Sequence, residues 1–166
     1  MQLHEPTPCE KNPETCPIFR TMATDERELV LSLMDTEFFQ CGRNVLLERN
    51  LHPQGLWVVR KGNLEVLHFD QANGEQQMAM LHPGAIFGEI SFFDPQPHTA
   101  TIRAVEETEC LHLSVEKFHD LELQHPRTAI KLLVNMGRML AAKMRRADRM
   151  LFHHVPSTSF LAKIDD

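Results

Sequence analysis

Between residues 38 and 113 the chain never keeps one hydrophobic period for long, and that cadence restricts its fold more than any other feature. Residues 45–47, 56–60, 63–69, 76–81, 99–104 and 110–113 each have the length and composition of a short strand. Asn73-Gly74 is a hairpin signal and Pro83-Gly84 marks another turn. Evenly punctuated strands of this kind predict a mainly β fold with α, an antiparallel β-roll of jelly-roll type with flanking helices. A helical period returns only at the two ends. Thr24 reads as an N-cap ahead of Leu29, Val30, Leu33 and Met34, Ser114 caps a short helix, and Pro126 starts a long one. The expected organisation is an irregular arm over residues 1–20, the roll over 21–125, the long helix over 126–152 and a tail over 153–166.

One stretch inside the roll carries chemistry. Residues 87–104 read Phe-Gly-Glu-Ile-Ser-Phe-Phe-Asp-Pro-Gln-Pro-His-Thr-Ala-Thr-Ile-Arg-Ala. Gly88 opens a helical turn after a strand, and the first amides of such a turn have no carbonyl partner, which suits an anionic phosphate. Glu89 stands at the same mouth, where its carboxylate can accept from a ribose hydroxyl. The segment from Pro97 turns into a β-branched strand, so the amides of Thr99 and Ala100 close the other side of an anion nest. Together the two halves would grip one small cyclic anion.

This stretch resembles the phosphate-binding cassette of cyclic-nucleotide-binding domains, the sensor half of the catabolite activator and fumarate–nitrate regulator superfamily. Gly42, Glu48, Gly62 and the Gly84-x-x-Phe87-Gly88-Glu89 cluster fall where that family is punctuated between strands. The resemblance implies a site for cAMP or cGMP made by Phe87, Gly88, Glu89, Ile90, Ser91, His98, Thr99 and Ala100, with no cofactor or metal. Aligning from Pro126, it places Lys143 and Met144 where the catabolite activator offers two hydroxyl side chains to adenine. Two departures stand out. His98 occupies the place of an arginine that pairs with the cyclic phosphate, turning a fixed charge into a conditional one. Arg49 follows Glu48 where the family usually has glycine, and the next turn is one residue longer.

The long helix carries a second pattern. Ile130, Leu133, Gly137, Leu140, Met144, Ala147 and Leu151 recur at alternating intervals of three and four, a heptad seam, amid Lys131, Arg138, Lys143, Arg145, Arg146 and Arg149. The seam either packs on the chain's own roll or, as the resemblance implies, forms a homodimer interface. Only 15 residues follow Leu151, too few for a recognition helix and its support, so sequence-specific DNA binding is not expected.

The chain holds 166 residues and 42% hydrophobic residues, ample for one core, without an apolar run of bilayer length. Residues 1–8 lack a signal peptide's basic and apolar regions, so a cytoplasmic location without membrane contact is expected. Residues 1–125 carry 9 Lys plus Arg against 20 Asp plus Glu, whereas residues 126–166 carry 8 against 3. An acidic body argues against general nucleic-acid binding, and the basic segment suits an acidic partner or the body itself.

Cys9, Cys16, Cys41 and Cys110 are too few for a disulfide scaffold, and reduced thiols are expected. Cys9, Cys16 and Cys110 resemble part of the iron–sulfur ligand set of the fumarate–nitrate regulators, but the close Cys-x-x-Cys pair is missing. The ten histidines are scattered, without the spacing of a metal site, and nothing supports haem. No nucleophile elbow, Walker loop or zinc signature occurs. The sequence therefore predicts a non-enzymatic regulatory module that binds a cyclic nucleotide or related anion, dimerises, and signals to an unidentified protein partner. The alternatives are an interaction domain with a degenerate pocket and, less favoured, an iron–sulfur or haem redox sensor.

Overall fold

Leu56, Trp57, Val58 and Val59 are consecutive and all at most 1% exposed, which a single strand achieves only when both of its faces are covered. The computed structural model, which describes residues 16–152, supplies both covers. This strand, β3 (Gly55–Lys61), lies in a four-stranded sheet of order β1-β8-β3-β6, with β1 Asp35–Phe39, β6 Ile86–Phe87 and β8 Thr108–Ser114. The second sheet runs β2-β7-β4-β5, with β2 Asn44–Leu46, β4 Leu64–Asp70, β5 Gly74–Leu81 and β7 Thr101–Ala104. The strand pairs of both sheets are antiparallel.

Alternation sorts the side chains of β3 between two cores. Trp57 and Val59 pack with Val45, Leu64, Phe87, Ile102 and Cys110 between the sheets. Leu56 and Val58 join Leu111, Leu113 and the helices. The helices are α1 (Thr24–Leu33), α2 (Glu89–Phe93), α3 (Val115–Gln124) and α4 (Pro126–Phe152). The result is a β-roll with helices over one sheet.

The element bounds differ from the sequence reading in small, physical ways. Ala23, not Thr24, is the residue before α1, because the Glu26 carboxylate reaches back and accepts from the Ala23 amide at 2.8 Å. The first strand starts at Asp35, paired with His112, although its residues 35–37 carry no apolar signal. Nor is the arm irregular to residue 20. Pro17–Phe19 forms a 3-10 turn whose Ile18 and Phe19 are buried in the helical core. Asn135 of α4, 1% exposed, holds that turn by donating to the Ile18 carbonyl at 2.8 Å and accepting from the Thr21 hydroxyl at 3.1 Å. Residues 1–15 and the expected tail, 153–166, lie outside the described residues.

The long helix uses a different face for its own roll than the seam. Ala129, Leu132 and Met136 are buried against the body, a face the heptad reading missed. Ile130 is 59% and Met144 67% exposed, Gly137 and Ala147 face solvent, and Leu133 and Leu140 are half-buried. Val134, at 46% exposure, widens the stripe. The seam therefore remains largely uncovered by the chain itself; the side chain of Leu151 is outside the described residues.

Candidate functional site

The cassette residues meet at the mouth between the sheets. Gly88 begins α2 with φ +78°, a left-handed conformation that glycine adopts without strain. It is also a contact point. A Cβ there would stand 2.5 Å from the Gly55 carbonyl oxygen and 2.8 Å from Trp57 Cδ1. Trp57 cannot yield easily, because it is stacked between His112, with ring centres 3.9 Å apart, and Phe87, at 5.8 Å. The tight turn thus aims the first amides of α2, which lack intrahelical carbonyl partners, along one wall of a cavity of about 190 Å³.

Nine of the ten residues expected from the sequence line that cavity: Phe87, Gly88, Glu89, Ile90, Ser91, His98, Thr99, Ala100 and Lys143. Leu46, Val66, Leu81, Ile86, Pro97 and Ile102 complete it. These apolar walls went unassigned, since a strand's alternation shows which residues face inward but not which of them border a gap. Met144 does not line the cavity. One residue past Lys143 it is turned about 100° around the helix, and it faces solvent.

Glu89 is 6% exposed overall, an expensive place for a carboxylate unless it is paired. Its partner comes from α4: Lys143 Nζ lies 2.6 Å from Glu89 Oε1 and donates to the Ile86 carbonyl at 3.1 Å. The base-contact position inferred from the resemblance is therefore occupied by a cation that reaches the Glu89 carboxylate instead. Sequence reasoning missed this pair because its members stand 54 residues apart.

His98 is held by its backbone. Its amide donates to the Asn50 carbonyl at 2.8 Å and its carbonyl accepts from the Arg49 amide at 2.9 Å, tying the second half of the cassette to the turn after β2. Arg49 takes φ +67° to make this contact, so an arginine adopts the left-handed conformation that glycine would adopt freely. The His98 side chain is 6% exposed. Burial pushes its pKa below the usual 6.5, opposed by a hydrogen bond to the Pro53 carbonyl and reinforced by the nearby His52. The ring is thus neutral at physiological pH, and its Nε2 is buried without a protein partner. Glu48 is structural: its carboxylate accepts from the Phe69 amide at 2.8 Å, and its own amide donates to the Thr101 hydroxyl at 3.0 Å.

The cysteines are not assembled. Cys16 belongs to the helical core and donates to the Gly84 carbonyl at 3.4 Å, whereas Cys110 is in the core between the sheets. Burial, with Glu37 and Glu109 nearby, pushes the Cys110 thiol up to about 12, far from a thiolate ligand. Cys41 is exposed, and Cys9 lies outside the described residues. Among the described residues no group of three His, Cys, Asp or Glu side chains is placed to hold a metal, and no helix is long and apolar enough to cross a membrane.

Comparison with known proteins bears on this geometry. Residues 21–125 match the family described as cyclic nucleotide-binding domain. The chain is 31% identical over 132 residues to the cyclic AMP receptor protein of Thermus thermophilus, covering 80% of this chain and 59% of that protein. It is 25% identical over 105 residues to the cAMP-dependent protein kinase regulatory subunit of Blastocladiella emersonii, covering 63% of this chain and 26% of that one. The crystal structure of the Thermus thermophilus catabolite activator protein superposes with a TM-score of 0.72 at 30% identity, over 81% of this chain and 61% of that one. The chain thus spans about three-fifths of the first of these relatives and about a quarter of the second.

Proposed function

Because the chain belongs to the cyclic nucleotide-binding domain family, we propose that its roll binds a cyclic purine nucleotide, cAMP or cGMP, in the cavity between Glu89 and His98. The observation that carries this reading is the meeting of both cassette halves around one cavity with a buried carboxylate at its edge. The amides of Ile90, Ser91, Thr99 and Ala100 would take the cyclic phosphate. Glu89 would accept from the ribose hydroxyl, and the apolar side chains of Leu46, Val66 and Leu81 would border the base.

In this reading the module is regulatory and carries out no reaction. The stripe of Ile130, Leu133, Gly137, Leu140, Met144 and Ala147 pairs with its copy in a homodimer, and the ligand shifts the population of α4 positions that a protein partner reads. Lys143 supports the coupling, because one side chain of α4 already touches the cassette.

Calorimetric titration of the wild type and Glu89→Ala with cAMP and cGMP at pH 7.5 tests the site. Hydrogen bonds to a charged group are worth about 1.5–3 kcal/mol, so Glu89→Ala is expected to lower affinity by roughly tenfold to a hundredfold. No heat from the wild type at millimolar nucleotide would reject the reading and favour an interaction domain with a degenerate pocket.

A further inference from the structure

A cyclic phosphate is an anion, and the cavity proposed to receive it is poor in positive charge. His98, at the place of the family's arginine, is buried and its Nε2 has no protein partner. A buried neutral imidazole offers an anion no fixed positive charge. Glu89, at the same cavity, adds a full negative charge. Among the described residues Lys143 is the only lysine or arginine that lines the cavity.

We propose, on the reading that this cavity takes a cyclic nucleotide, that Lys143 and not His98 supplies the positive charge opposite the phosphate, its ammonium passing from Glu89 to the ligand as the ribose hydroxyl takes the carboxylate.

The geometry permits the exchange. Lys143 Nζ already stands at the cavity wall on a flexible four-carbon stem. An ammonium has three donors, of which Glu89 and the Ile86 carbonyl engage two, so one remains for a phosphate oxygen before any bond breaks. The carboxylate keeps a hydrogen-bond donor, since the arriving hydroxyl donates to it beside the ammonium, which stays close enough to face both anions. Without Lys143 the ligand's charge would face Glu89 with no other lysine or arginine among the described lining residues. The charge also arrives from α4, so occupancy of the site and the position of the helix become one equilibrium.

The assignment separates from a structural role by its dependence on ligand charge. Wild type, Lys143→Met and Lys143→Arg are titrated at pH 7.5 with cAMP and cGMP and with the uncharged nucleosides adenosine and guanosine. Lys143→Met is expected to weaken binding of the cyclic nucleotide by about tenfold to a hundredfold. Lys143→Arg is expected to stay within about threefold of the wild type, and the uncharged nucleosides to bind all three proteins alike. Thermal unfolding of the half-exposed Lys143→Met checks that it is folded. Unchanged cyclic-nucleotide affinity in Lys143→Met, or an equal loss for the uncharged nucleosides, overturns the charge assignment alone. Failure of the wild type to bind either cyclic nucleotide overturns it together with the proposed function.

Discussion

Replacing Gly88 with alanine loads two separable penalties onto one atom. The first is conformational: φ at Gly88 is +78°, and a Cβ in the left-handed region costs about 1–2 kcal/mol. The second is steric. The added Cβ would sit 2.5 Å from the Gly55 carbonyl oxygen in β3 and 2.8 Å from Trp57. Neither neighbour is a free side-chain end. The carbonyl belongs to the central strand pair with β8, and Trp57 is 1% exposed within an aromatic stack. Overpacking a site of this kind costs about 1–3 kcal/mol, so Gly88→Ala should lose roughly 2–5 kcal/mol in all. Gly42 separates the terms, because its φ is +81° and an added Cβ meets nothing within 4 Å. Gly42→Ala should therefore lose only the conformational part. In urea, with a slope of about 2 kcal/mol per molar, the midpoints should fall by roughly 1–2.5 M for Gly88→Ala and about 0.5–1 M for Gly42→Ala. Equal losses in the two variants, within about 0.5 kcal/mol, would refute the argument that the cassette turn is wedged against Trp57.

Other expectations follow from named groups. Leu140→Glu places a charge in the exposed seam of α4 and should shift the solution mass toward monomer; a dimer mass unchanged by light scattering would remove the seam from the interface. Arg49→Gly relieves a residue at φ +67° and, after the entropy glycine adds to the unfolded chain, should stabilise the fold by about 0.5–1 kcal/mol; a lower urea midpoint would contradict it. His98 is neutral in both states well above pH 6.5, so it contributes no pH dependence there. As pH falls through the unfolded value of about 6.5, the unfolded chain takes up a proton that the folded chain resists, and stability drops until the lower folded pKa is reached. His98→Gln should flatten that part of the stability profile, and an identical slope in wild type and variant would show that the buried ring is not its source. Cys110, with its thiol pushed up to about 12, should resist alkylation at pH 8 while Cys41 reacts, as read by peptide mass mapping of the native protein.

Much of this protein was legible along the chain because its signals are local. Turn residues and two-residue alternation determined a punctuated β-roll, since the backbone at Gly88, Asn73-Gly74 and Pro83-Gly84 has few ways to run. The cassette residues were legible for the same reason: the turn and strand that build the two sides of the cavity lie within residues 87–104, so order in sequence is nearly order in space. What only tertiary structure decided involves groups far apart in the chain or faces that share a period. A 27-residue helix can present several apolar stripes, and only packing into the helical core chose Ala129, Leu132 and Met136 as the inner one, leaving Ile130 and Met144 outside. The state of His98 follows from burial beside Pro53 and His52, which no spacing encodes. The pairing of Lys143 with Glu89 was equally out of reach, because a lysine among seven basic residues of one helix acquires its meaning only when the fold brings it to a buried carboxylate.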